Sequence, residues 1–160
     1  MIKHPFPPLY NNNSKILILG SFPSVKSREQ QFFYGHPQNR FWKVMSKILC
    51  CNVPYTIDDK KNMLYNNCIA LWDVINECEI VGSSDSTISN VIPNDISIIT
   101  KSADIRCIFL NGKTAEKYFI KYLKNYTDVQ FVCLPSTSPA NASFSVEQLV
   151  EKWSIIKDYI

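Results

Sequence analysis

The chain has 160 residues, 46% of them hydrophobic and 19% charged, the balance of a globular protein with enough length for a real core. No apolar run approaches the ~18 residues that a membrane span needs, and the opening MIKHPFPPLYNNNSK lacks the apolar segment of a secretory signal. The net charge of +3 is too small to identify a partner. The expectation is an intracellular protein of one domain, 1–160, with 1–14 a Pro- and Asn-rich lead-in and no membrane partner.

Charge distribution says more than the total. Residues 1–50 carry seven Lys/Arg against the single acid Glu29, whereas the remainder has ten basic and thirteen acidic groups. A basic first third suits a polyanion, although a solvated basic face gives the same pattern. The six cysteines contain no C-x-x-C pair. Zinc and iron–sulfur sites show tighter ligand pairing, so buried reduced thiols and no metal are expected.

Four apolar runs without polar alternation read as strands buried on both faces: Ile16–Leu19, Cys68–Leu71 continuing to Ile75, Ile105–Leu110 and Val129–Leu134. The first is followed by a long polar-aromatic loop, Gly20 to Lys43, without periodicity. Helical spacing follows Asn39 (Phe41, Val44, Met45, Ile48, Leu49) and recurs over Thr114–Lys124. Weaker helical patterns cover Asp58–Asn66 and Asp95–Lys101. The last helix is marked by a Ser145/Gln148 capping box, Glu147 in the first turn and a stripe of Val146, Leu149, Val150, Trp153 and Ile156. Strands alternating with helices predict a three-layer α/β/α sandwich with a four-stranded, mainly parallel central sheet. Loops leaving the carboxyl ends of such strands converge on one crevice: Gly20 onward, Trp72-Asp73, Asn111-Gly112-Lys113, and Pro135 to Ala142.

The segments GSFPS (20–24), YGHPQNRFWKV (34–44), LNGKTA (110–115) and LPSTSPANA (134–142), in this order, resemble the uracil-DNA glycosylase superfamily. YGHPQNRFWKV is similar to the mismatch-specific uracil/thymine glycosylases; GSFPS, NGK and STSPANA are closer to the hypoxanthine (deoxyinosine) branch. The resemblance implies a monofunctional glycosylase of base excision repair. It would act as a monomer on damaged double- or single-stranded DNA, flip out a deaminated base and hydrolyse its N-glycosidic bond, without a cofactor. Hypoxanthine is the first expectation. The alternatives are a mismatch-specific or single-strand uracil glycosylase, a catalytically weak damaged-DNA-binding protein, and a small-molecule enzyme. Against the last, neither GxGxxG nor GxxxxGK[ST] is present.

Several branches place Asp or Asn where Phe22 stands, to orient the attacking water. Phenylalanine offers no hydrogen bond, so the role moves to Asn39, which matches the Asn implied for the hypoxanthine branch and could equally cap the helix after it. Tyr34 matches the ring that stacks on the flipped base, core packing being its other reading. His36 is a second catalytic candidate, donating to the departing base, or a turn residue in Gly-His-Pro. The resemblance also implies base contacts from Gly20, Ser21, Phe22, Pro23, Asp73 and Asn111, the last of these also suiting a tight turn. It implies DNA contacts from Ser24 and from Ser136, Thr137, Ser138, Pro139 and Asn141, whose loop would enter the minor groove or merely join strand to helix.

Overall fold

The computed structural model describes residues 1–160. Seven strands are β1 (Ile2–Lys3), β2 (Ile16–Gly20), β3 (Ile69–Asp73), β4 (Ile75–Glu79), β5 (Ser89–Pro93), β6 (Cys107–Asn111) and β7 (Phe131–Leu134). Six helices are α1 (Val25–Gln30), α2 (Phe41–Ile48), α3 (Ile57–Asn66), α4 (Ser97–Thr100), α5 (Lys113–Tyr122) and α6 (Val146–Trp153). The four-stranded sheet is entirely parallel, in the order β3-β2-β6-β7, and flanked by helices. The expected α/β architecture is therefore the observed one.

Burial follows strand position. Ile16 to Leu19 on β2 and Cys107 to Leu110 on β6 are completely buried, as central parallel strands must be. Thr56 and Asp59 form a capping box on α3, and Ser145 and Gln148 form the expected one on α6. The α6 stripe seats Trp153 against Phe41 of α2, and the indole N–H donates to Pro135 O at 2.9 Å. That bond fixes the start of the loop after β7. The last helix continues past Trp153 as a 3₁₀ segment, Ser154–Tyr159, burying Ile156.

Four expectations need correction. The run from Cys68 to Ile75 is two strands in two sheets. Val74 N–H donates to Gly20 O and Ile75 N–H to Ser21 O, turning the chain out of the parallel sheet. β4 then pairs antiparallel with β1 and β5. Apolar residues alone do not encode which sheet a strand joins. Nor is 20–43 one irregular loop: Ser24 caps a helix of six residues, too short and too polar to show periodicity. The lead-in is structural as well. Leu9 exchanges backbone hydrogen bonds with Leu71 and covers the edge of β3, while β1 pairs with β4. Finally, Cys78 and Cys107 are buried as expected, but Cys50 and Cys51 are exposed; all six cysteines are free thiols.

Candidate active site

A cleft of about 540 Å³ opens at the carboxyl ends of the parallel strands, within the range of ligand sites. Gly20, Asp73 and Asn111 end β2, β3 and β6 and line it together. The chain passes from β2 to β3 on one side and later to β6 on the other, so the cleft lies where strand order reverses, the usual ligand position in open α/β sheets. Every residue singled out from the sequence lines it except Asn141. Asn141 stands behind the wall, its side-chain amide donating to Ser136 O.

Gly20 and Asp73 are register partners. A Cβ on Gly20 would stand 2.5 Å from Asp73 Oδ1 and 3.1 Å from the Tyr34 hydroxyl. Only glycine leaves room for these two polar groups to share the floor. Tyr34 adopts a left-handed backbone (φ 52°), a conformation that costs a bulky residue on the order of 1–3 kcal/mol. One face of its ring stacks on Phe41, with centroids 4.2 Å apart. Its buried hydroxyl has no hydrogen-bond partner. Burial, followed by the charge of Asp73, pushes the phenol far above its ordinary range and keeps it a neutral donor; Asn111 opposes the shift.

The chain then presents His36 and Asn39. His36 Nδ1 accepts from Gln38 N–H at 3.1 Å, so a neutral ring carries its hydrogen on Nε2. Asn39 Oδ1 accepts from Phe41 N–H at 2.9 Å, which makes it an Asx turn ahead of α2. The helix N-cap itself is Arg40. Asn39 retains its NH₂ group and a second lone pair for a water. Ser24 is occupied as the cap of α1, accepting from Ser27 N–H. Phe22 is buried beneath the Arg28 guanidinium and edge-on to His4.

The loop after β7 is held from both sides. Asn111 donates to Thr137 Oγ1 and accepts from Thr137 N–H, both at 3.0 Å. Thr137 is thereby fully buried within the cleft wall, which Ser136, Ser138, Pro139 and Ala140 also line. Gly112, with φ 97°, lets this loop approach closely; a Cβ there would meet Ser136 Cβ at 2.9 Å. From the other side the Arg40 guanidinium donates to the carbonyls of Thr137, Ser138, Asn141 and Phe144.

The family model described as "Uracil DNA glycosylase superfamily" matches residues 7–158. The chain belongs to that superfamily. It is 37% identical over 147 residues to a hypoxanthine DNA glycosylase of Methanosarcina acetivorans, covering 91% of this chain and 92% of the relative. A hypoxanthine DNA glycosylase of Methanosarcina barkeri is 33% identical over 120 residues, covering 74% and 76% respectively. A solution NMR structure from Methanosarcina acetivorans that carries the name of a uracil DNA glycosylase superposes with a TM-score of 0.83 at 35% identity, covering 98% of this chain and 96% of the other. The protein is thus a DNA glycosylase, and its cleft is the place to seek base excision.

Three parts of this glycosylase cleft escaped the sequence. His4 bonds Asp73 from beneath, and nothing in a Pro-rich lead-in signals it. Arg40 lies inside YGHPQNRFWKV, but its carbonyl partners are about a hundred residues away. Residues 83–86 form a further part of the wall, where Ser21 Oγ donates to Asp85 at 3.3 Å and Ser83 Oγ accepts from Val25 N–H. Asp85 is exposed at the cleft's edge, yet partial desolvation raises its carboxyl above the usual carboxylate range and Asp73 adds to the rise, against hydrogen bonds from Thr114 and Ser21. The run SSDS was legible as a polar connection between strands, without an indication of what it faced.

Proposed function

We propose that this glycosylase is monofunctional and excises hypoxanthine from deoxyinosine, with water attacking the anomeric carbon. The observation that carries the proposal is the convergence of Tyr34, His36, Asn39 and Asp73 on one cleft at the strand ends. The open face of the Tyr34 ring is the stacking platform for an extruded base, opposite the face covered by Phe41. Asp73 Oδ1 accepts the N1–H that distinguishes hypoxanthine from adenine. His36 Nε2–H donates to an acceptor on the base, and Asn39 holds the water.

The C1′–N9 bond breaks with its electron pair passing to the base. Water oxygen bonds to C1′, and the proton it sheds leaves the base as neutral hypoxanthine beside an abasic site. A neutral Asn39 orients the water without acting as a strong base, so the rate must come from stabilising the departing base. Serine hydroxyls at 136 and 138 contact the backbone phosphates, and Pro139 stands at the tip of the loop as an apolar wedge. The choice of base is supported by the relatives named hypoxanthine DNA glycosylase.

The solved structure named as a uracil DNA glycosylase favours a second reading, since uracil offers Asp73 a similar N3–H. Single-turnover assays on duplexes bearing inosine, uracil, xanthine or a thymine mismatch, each also as a single strand, decide between them. The expected product is free hypoxanthine, with strand nicking only after alkali or heat. Release of uracil without hypoxanthine refutes the first choice.

A further inference from the structure

The N-terminal strand delivers a histidine to the underside of the cleft. β1 pairs with β4 through Ile2↔Cys78 and Lys3↔Glu77, and His4 follows at once with its backbone N–H on Asn76 O at 2.7 Å. The His4 side chain is 2% exposed and that of Asp73 is 5% exposed. Nδ1 lies 2.8 Å from Phe6 O, and a carbonyl oxygen only accepts, so Nδ1 carries a hydrogen. Nε2 lies 2.7 Å from Asp73 Oδ2. With Nδ1 already protonated, that contact requires one further proton, on either Nε2 or Oδ2. In both placements imidazole and carboxyl together carry no net charge. Phe6, Phe22 and Phe33 surround the ring at centroid distances of 4.5, 6.1 and 6.1 Å, excluding bulk water as a substitute.

We propose that His4 is a positioning residue for base release: it clamps Asp73 Oδ2 and cancels the carboxylate charge beside a base that departs as an anion. The inference rests on the glycosylase reading of the cleft. As the glycosidic bond breaks, the base gains an electron pair, and an uncompensated carboxylate on the same floor would repel it strongly in a site of low dielectric. The pair with His4 removes that repulsion and still leaves Oδ1 at the cleft to accept an N–H. It also ties catalysis to the lead-in, which otherwise pairs β1 with β4 and covers the edge of β3.

The test is single-turnover base release from inosine and, in parallel, uracil duplexes by the full chain. The variants are His4→Ala, His4→Gln, Asp73→Asn and the double variant His4→Ala/Asp73→Asn, each shown to be folded by thermal unfolding. His4→Ala and His4→Gln should both slow release by about tenfold or more, because glutamine can donate to Oδ2 but brings no positive charge. Affinity for a duplex with a non-hydrolysable analogue should stay within about twofold, since the charge matters chiefly in the transition state. In the Asp73→Asn background, loss of His4 should cost less than about threefold, the non-additivity expected of a coupled pair. Wild-type rate in His4→Gln would show that a hydrogen bond alone suffices. Equal losses from His4→Ala in both backgrounds would show that His4 only anchors β1. Either result overturns the proposal. If His4→Ala fails to fold, His4→Gln carries the same cycle. Failure of the wild-type chain to release either base instead refutes the reading of the cleft, a result visible before any variant is assayed.

Discussion

Gly20 and Asp73 pair across β2 and β3, and the space between them is smaller than a methyl group: a Cβ at position 20 would stand 2.5 Å from Asp73 Oδ1. The carboxylate cannot retreat, because Oδ2 is held by His4 at 2.7 Å. Gly20→Ala should therefore displace the cleft floor while leaving the loop after β7 untouched. Base release should fall on the order of 10²-fold, as for misplacement of a reacting group by about 1 Å. DNA affinity should change little. Single-turnover rates beside fluorescence anisotropy check this, and wild-type release would show that the floor accommodates a methyl group.

Arg40→Ala acts through the loop instead. The guanidinium satisfies four backbone carbonyls between Thr137 and Phe144. Losing these charge-assisted bonds should cost about 2–3 kcal/mol, partly as local opening of residues 137–144. Hydrogen exchange should accelerate in that segment first, and DNA affinity should weaken with it. Arg40→Lys retains one charge but not the planar fork, so it should recover only part of the loss. Unchanged exchange across the segment would exclude this clamp.

The central strands were readable because buried parallel strands must be apolar throughout, and Ile16–Leu19 and Cys107–Leu110 are. The last helix was readable because its capping box and stripe are local. What escaped depends on partners remote in sequence. β1 has two residues and exists by pairing with Cys78 and Glu77. β4 continues an apolar run yet joins the other sheet. The strand-end loops were correctly placed on one cleft, since every strand of a parallel sheet points the same way. The split of labour within those loops was not legible: Asn111 looked equally suited to a base edge or a turn, and the structure commits it to Thr137.

The cysteines give a simple test of burial. Cys50 and Cys51 are exposed, whereas Cys78 and Cys107 are buried. Burial raises the Cys78 thiol and pushes Cys107 and Cys133 up to about 11, so all three stay protonated at neutral pH. Alkylation of the native protein followed by peptide mass spectrometry should label Cys50 and Cys51 rapidly. Cys78 and Cys107 should react only after denaturation, and the half-buried Cys133 at an intermediate rate. Fast labelling of Cys107 in the native state would contradict its place in β6.

Asp85 supplies a prediction with a defined sign. Its carboxyl is raised chiefly by partial desolvation against the cleft wall, although the residue keeps an exposed edge, so the folded protein binds this proton modestly more tightly than the unfolded chain does. The associated stability is fully present below the unfolded carboxylate value and is lost as pH rises through the raised folded value. Asp85→Asn removes that penalty and keeps an acceptor for Ser21. The variant should match wild type in acid, gain on it as pH rises through the carboxylate range, and hold a constant advantage at neutral pH. Thermal unfolding at a series of pH values checks this; a variant less stable than wild type at pH 7 would show that the hydrogen bonds to the carboxylate outweigh its desolvation.

Asn39 separates chemistry from folding most cleanly. Its Oδ1 holds Phe41 N–H at the start of α2, so Asn39→Ala should lose about 1 kcal/mol of stability through that one bond. If the remaining amide also orients the attacking water, release should fall by about 10²-fold or more, a loss that one bond's worth of stability in a folded protein cannot produce. Asn39→Ser tests the division directly. A serine hydroxyl accepts the same backbone N–H and restores the turn, but it has no NH₂ group for the water. The expected outcome is wild-type thermal stability with release still depressed. Recovery of both together would make Asn39 a turn residue and move the water to another group on the cleft, with Asp85 the first to examine.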